Sequence, residues 1–181
     1  MVSGHSKWST IKRDKAVNDS KKSQMFTKLT RAITVAARKG ADPETNSSLR
    51  IAVEKAKQAR MPKDNIERAV QKGSGGGEGL QYEEVVYEGY GPEGVAFYVQ
   101  ALTNNKNRTV AEIRNIFNKH GGSLGGAGST AYIFGDPESP SFEIEVLDAK
   151  KAKAVFDLVG ALEDHDDVAD VYSNIKVSNE V

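Results

Sequence analysis

Five glycines within seven residues, Gly73-Ser74-Gly75-Gly76-Gly77-Glu78-Gly79, interrupt this chain of 181 residues. Glycine carries the largest backbone entropy cost of any residue, so such a run sits poorly inside a helix or strand. It therefore splits the chain into segments that must bury their apolar side chains separately. Before the run, apolar residues recur at helical spacing. After it, short alternating stretches take turns with helical ones. The expected organisation is a basic helical domain over residues 1–72, a glycine-rich linker over 73–80, and an acidic α+β domain over 81–181.

Charge divides at the same place. The first 72 residues hold 17 Lys plus Arg and 7 Asp plus Glu, a surplus of ten. The remaining 109 residues hold 8 and 18, a deficit of ten. The formal net charge of zero conceals both. A basic, helical half can neutralise phosphates and release their counterions, which an acidic half cannot. Nucleic acid is the expected partner. The chain has no cysteine, so disulfides, thiol catalysis and thiolate metal sites are excluded. No stretch reads as a signal peptide or membrane span. A cytoplasmic protein with no membrane partner is expected.

In the basic half, Asp19 or Ser20 is placed to cap a helix that runs to about Lys39 and stops at Gly40. Met25, Phe26, Leu29 and Ile33 form its apolar stripe. A second helix starts near Asn46 or Ser47 and is broken by Pro62. A third covers residues 63–72 and is closed by Gly73. Residues 9–17 offer one more short helix. In the acidic half, strands are expected at 82–90, 95–102, 129–134, 142–146 and 168–177. Helices are expected at 107–120 and 148–162. From Val95 onward this is a β-α-β-β-α-β path, so the fold class is α+β: a small helical bundle followed by a ferredoxin-like sandwich.

The sharpest local motif is Gly4-His5-Ser6-Lys7-Trp8, followed by Lys12, Arg13 and Lys15. An aromatic among cations can stack on a base while Lys and Arg hold phosphates. Candidate phosphate contacts are Lys7, Lys12, Arg13, Lys15, Lys21, Lys22, Lys28 and Arg31, with Lys63 after the Pro62 turn. Trp8 and His5 are the candidates for stacking or base-edge contacts. Lys106 and Arg108 lie where a strand feeds a helix that Asn105 or Asn107 can cap. They form the best anion site of the acidic half.

Three other features read as structural. Gly89-Tyr90-Gly91-Pro92-Glu93-Gly94 fits the spacing of a dinucleotide fingerprint, but a strand follows it where a helix is required. The string GGSLGGAG at 121–128 lacks the Lys-Ser/Thr pair of a phosphate loop and reads as a flexible connection. Glu163-Asp164-His165-Asp166-Asp167 gathers carboxylates around a histidine at a helix C-terminus, where they oppose the dipole. It reads as a solvated turn, and Glu163, His165 and Asp167 are the least implausible polar cluster for an enzyme reading. No triad or metal-ligand spacing is visible. A non-enzyme with no cofactor, no metal and no small-molecule substrate is expected. The competing class is a protein-interaction module whose acidic half takes a basic partner.

Taken together, GHSKW at 4–8 with Lys12 and Lys15, FTKL at 26–29, RMPKDNI at 60–66, YEGYGPEG at 87–94, NKNRT at 105–109 and GGSLG at 121–125 resemble the YebC family. This family comprises bacterial regulators and mitochondrial translational-activator relatives. The likeness runs in order over nearly the whole chain. It implies a helical N-terminal domain and two α+β domains, one inserted into the other. It also implies a DNA-binding transcriptional regulator in the cytoplasm, or alternatively an rRNA-binding translation factor on the ribosome. The chain departs from the pattern at residues 135–140, where six residues stand in place of the inserted domain, and at Asn104, where the family motif leads one to expect Asp.

Overall fold

A computed structural model describes residues 19–76 and 82–177. The chain forms two compact units, one helical and one α+β. The short helix expected at 9–17 lies outside the described residues.

The helical unit holds α1 (Asp19–Ala37), α2 (Ser47–Gln58) and α3 (Lys63–Ser74). Their apolar stripes meet in one core of Ile33, Ala37, Leu49, Ala56, Met61, Ile66 and Ala69, with Phe26 and Leu29 packed against it. Asn46 ties the first two helices together. Its Oδ1 accepts the Leu49 amide at 3.1 Å, capping α2. Its Nδ2 donates to the carbonyls of Ala36 at 2.8 Å and Gly40 at 2.9 Å, near the end of α1. α2 ends in a Schellman pair: the Met61 amide donates to Ala56 O at 3.0 Å and the Arg60 amide to Lys57 O at 2.9 Å. Arg60 adopts the left-handed φ of 61° that this motif needs.

Gly73 does not close the third helix, as its sequence position leads one to expect. α3 continues through Gly73 and Ser74, and Gly75 is its C-cap. The reason is tertiary. A Cβ on Gly73 would stand 2.2 Å from the Thr34 carbonyl oxygen and 2.8 Å from the Ala37 Cβ. The glycine lets α1 and α3 touch along their backbones.

Among the described residues, the α+β unit has six strands: β1 (Glu83–Tyr90), β2 (Ala96–Thr103), β3 (Ser123–Leu124), β4 (Ile144–Val146), β5 (Val168–Ser173) and β6 (Ile175–Val177). Its helices are α4 (Lys106–Lys119) and α5 (Ala149–Glu163). Four strands form a sheet in the order β3-β1-β2-β5, and β4 pairs parallel with β6 in a separate ribbon. The α+β class with leading helices stands. The first and last strands of the expected path, β2 and β5, are antiparallel neighbours as a ferredoxin-like order requires.

Residues alternate across this sheet. Phe97, Val99 and Ala101 of β2 face Ile113 and Phe117 of α4 and Val155, Leu158 and Leu162 of α5. The rings of Phe97 and Phe117 meet edge to face at 5.8 Å. A register shift between Gln100 and Ala101 lets Val168 and Val171, three residues apart, both reach this core. On the other face, Ala96 and Tyr172 are buried under Ile133 and Phe134, with Tyr90 and Tyr98 alongside.

Residues 129–134 are not the expected strand. They run as successive turns, with the Ile133 and Phe134 amides both donating to Thr130 O at 2.9 and 3.1 Å. Their apolar run seals the second face of the sheet from above and does not join its edge. The glycine-rich connection before them is also held, by β1: the Gly125 amide donates to Glu88 O at 2.8 Å. The single strand expected at 168–177 breaks at Asn174. This buried residue bonds Ala96 through its Oδ1 at 2.8 Å and passes the chain from the large sheet to the ribbon.

Candidate nucleic-acid interface and the clamp at α4

At 3.6 residues per turn, Lys21, Lys28 and Arg31 fall within about 80° of one another around the axis of α1, and Arg38 and Lys39 follow in the turn after it. The opposite side of that helix carries Ile33, Ala36 and Ala37 and is buried. Amphipathicity therefore sorts these three helical cations onto one outward stripe. Lys21 and Lys22 are exposed, while Lys28 and Arg31 are half-buried. The Lys22 ammonium lies 5.6 Å from the Phe26 ring centroid, over the end of the core.

Arg31 of the stripe and Arg38 just past the helix end hold the chain that follows the linker. The Arg31 guanidinium stacks on the Tyr82 ring at 4.7 Å. The Arg38 Nη1 donates to the Tyr82 carbonyl at 2.6 Å. Reading the sequence as a row of phosphate contacts missed this. The signal available was an aromatic beside a linker, with two arginines two helical turns apart. Lys63 is exposed and pairs with Glu67 at 3.5 Å, a solvated contact of little energy. His5, Lys7, Trp8, Lys12, Arg13 and Lys15 lie outside the described residues.

In the α+β unit, Asn105 is the cap of α4: its Oδ1 accepts the Arg108 amide at 3.1 Å. Lys106 is exposed on the first turn. Arg108 is engaged within the protein. Its Nη2 donates to Asp167 Oδ2 at 3.0 Å, and Thr109 Oγ1 donates to the same oxygen at 2.8 Å. Asp167 is only 5% exposed. Burial pushes its carboxyl up, but the hydrogen bonds of Thr109 and Arg108, the Arg108 charge and His165 together hold it below the usual range.

The acidic turn after α5 is therefore a clamp and not a solvated loop. His165 Nδ1 accepts the Asp167 amide at 3.0 Å, which leaves Nε2 to donate to Glu112 Oε2 at 2.5 Å. Ligand atoms of Glu112, His165 and Asp167 lie within 4.8 Å of one another, as in a metal site. Each is already spent on a protein partner, and the Arg108 guanidinium takes the place beside Asp167 that a cation would occupy. The arrangement fixes α4 against the start of β5.

Glu88 makes a second inward carboxylate, 6% exposed. It accepts from the Gly128 amide, from the Thr130 amide at 3.1 Å and from Thr130 Oγ1 at 2.7 Å. The protein's own side chain thus fills the nest of amides that a phosphate loop would offer a ligand. The glycines at 89–94 have packing reasons as well. A Cβ on Gly91 would meet Phe97 at 2.6 Å and Leu158 at 2.8 Å, and Gly94 sits at a φ of 73°.

In the α+β unit the buried carboxylates of Glu88 and Asp167 are committed to holding elements together. Comparison with known proteins supplies the family. The TACO1/YebC N-terminal domain matches residues 6–76, and the TACO1/YebC second and third domain matches residues 82–137. A probable transcriptional regulatory protein of Persephonella marina is 41% identical over 245 aligned positions, covering 99% of this chain and 98% of its own. One from Pseudothermotoga lettingae is 57% identical over 134 residues, covering 74% of this chain and 53% of its own. The crystal structure of a conserved hypothetical protein from Aquifex aeolicus superposes with a TM-score of 0.82 at 34% identity, over 97% of this chain and 99% of that one. The chain belongs to the TACO1/YebC family, and at the family level it is a regulator. Among the described residues, no helix is long and apolar enough to cross a membrane.

Proposed function

We propose that the chain is a cytoplasmic, DNA-binding regulator of transcription whose helical unit holds the phosphate backbone. The observation that carries this reading is the surplus of ten positive charges in 72 residues, part of it sorted by α1 onto one outward stripe. Lys21, Lys22 and Lys28 supply phosphate contacts, and Arg31 adds one from the edge of its stacked guanidinium. Lys7, Lys12, Arg13 and Lys15 extend the set, while Trp8 and His5 stack on bases. Lys63, Lys106 and Arg108 are peripheral contacts, with Arg108 sharing its charge with Asp167. A salt titration of binding to duplex DNA tests the reading. Each phosphate contact contributes a log–log slope of about −0.9 on duplex and −0.7 on single strands. A flat slope sinks it.

One observation favours ribosomal RNA over DNA within the same class. The outward side of α3 exposes Asp64 and Glu67 beside Lys63 and Arg68. Carboxylates there oppose entry into a major groove lined by phosphates. Unpaired RNA bases suit an aromatic among cations better. Cosedimentation with ribosomes, set against duplex affinity at the same salt, decides between the two. Tight ribosome association with weak, sequence-blind DNA binding replaces the transcriptional reading by a translational one.

We also infer that the turn at 135–140 stands where longer relatives carry an inserted domain. The Persephonella alignment spans 245 positions, at least 64 more than the 181 residues of this chain. The match to the second and third domain stops at residue 137, inside that turn.

A further inference from the structure

Among the described residues, the two sides of this turn carry the most exposed aromatics of the α+β unit: Tyr132 is 65% exposed and Phe142 is 44% exposed. Their rings lie 6.2 Å apart and are tilted by 33°. Tyr132 is held from two directions. Its hydroxyl shares a hydrogen bond of 2.9 Å with the Tyr90 hydroxyl, and its carbonyl accepts from Ser141 Oγ at 2.8 Å. The Ser141 amide donates to Ile133 O at 2.9 Å and closes the turn at its base. An exposed ring fixed in this way loses little entropy on binding.

The surrounding charge is predominantly negative. Residues 120–149 contain no Lys or Arg and five carboxylates, at Asp136, Glu138, Glu143, Glu145 and Asp148. All five are exposed. Asp148 is occupied in capping α5, and Glu145 lies 3.8 Å from Lys176. The field of the turn reaches inward as well: Asp136 and Glu138 contribute, after burial and Asp170, to raising the Tyr172 hydroxyl above its ordinary range.

We propose that Tyr132, Phe142 and the carboxylates of Asp136, Glu138 and Glu143 form a docking face for a cationic protein segment supplied by another molecule. Arginine is the side chain that fits best, since its guanidinium can lie on a ring and pair with a neighbouring carboxylate. Nucleic acid is repelled by the carboxylates of Asp136, Glu138 and Glu143. A second copy meeting this face symmetrically brings like charges together. The choice of a separate molecule as occupant rests on the reading that longer relatives carry their extra chain at this turn.

The test uses the full chain and a fluorescein-labelled octapeptide of alternating arginine and leucine, with a glutamate–leucine octapeptide as control. The variants are Tyr132→Ser with Phe142→Ser, and Glu138→Lys with Glu143→Lys. Wild type binds the arginine peptide and not the control. Each double variant binds it about tenfold more weakly or worse, since rigid aromatic and charged anchors carry most of such an interface. The charge-reversed variant alters only exposed carboxylates and keeps the wild-type melting temperature, so it decides the matter if the aromatic variant melts early. Wild-type affinity in the charge-reversed protein overturns the proposal. Two other results also overturn it: a reduced affinity of the aromatic variant for a labelled RNA homopolymer, which assigns the face to nucleic acid, and a concentration-dependent dimer that either variant dissolves, which assigns it to a second copy.

Discussion

Gly73 on α3 lies against Thr34 on α1 so closely that a single added methyl group would sit 2.2 Å from the Thr34 carbonyl. Thr34 is itself buried at 3% exposure and turns its hydroxyl to Thr30 O at 2.8 Å. The two helices therefore meet backbone to backbone, and nothing larger than glycine fits between them.

Gly73→Ala is expected to destabilise the helical unit even though alanine is the better helix former. The clash is with backbone, which cannot rotate away, and overpacking of this kind costs about 1–3 kcal/mol. Intrinsic propensity returns less than 1 kcal/mol. Urea unfolding followed by far-ultraviolet circular dichroism measures the balance. An unchanged midpoint would show that α1 and α3 do not touch in this way.

Asp167→Asn is expected to loosen α4 by about 1–3 kcal/mol, because Arg108 and Thr109 lose the anion they both serve. The pH dependence follows from the direction of the shift. The folded carboxyl lies below its ordinary value. Its contribution is therefore complete above an unfolded pKa of about 3.9 and is lost as the pH falls through the folded value. The stability gap between wild type and variant should be constant near neutrality and close only below about pH 4. A gap that closes between pH 6 and 7 would point to another group.

Arg60→Gly is expected to stabilise the protein. Arg60 holds a left-handed φ of 61° at the end of α2. That conformation costs an L-residue about 1 kcal/mol, and glycine avoids it. If the arginine is kept for its charge, the same variant binds a polyanion more weakly while melting higher. Lower stability in the glycine variant would refute the strain argument.

Glu88→Gln places an amide where three donors converge. The Gly128 and Thr130 amides then compete for one oxygen, and the buried mismatch costs about 1–3 kcal/mol. The loss should be local. Hydrogen exchange is expected to quicken over residues 125–134 while the α4 amides keep their protection. Uniform acceleration across the unit would mean that Glu88 supports the whole sheet.

Much of the local structure was legible. The helical periods of α1 to α5 are written in apolar spacing, and Asn46, Asn105 and Asp148 each cap the helix they precede. The misreadings share one cause. Residues 129–134 have the composition of a strand, yet Glu88, distant in sequence, takes the Gly128 and Thr130 amides where they turn. The cluster from Glu163 to Asp167 looks solvated until Glu112, Arg108 and Thr109 are brought against it. Tyr82 looks like the first residue of a strand until Arg31 and Arg38 take hold of it.

The residue order by itself determined the division of charge, the helical periods, the caps and the membership of a family, because each depends on neighbours within a turn or two or on the string as written. The purpose of the glycines, the destination of the buried carboxylates and the exposure of Tyr132 and Phe142 were decided only by tertiary structure. Each depends on contacts beyond a residue's neighbours within a turn or two, and such contacts exist only once the core has excluded water and set backbones and side chains at fixed distances.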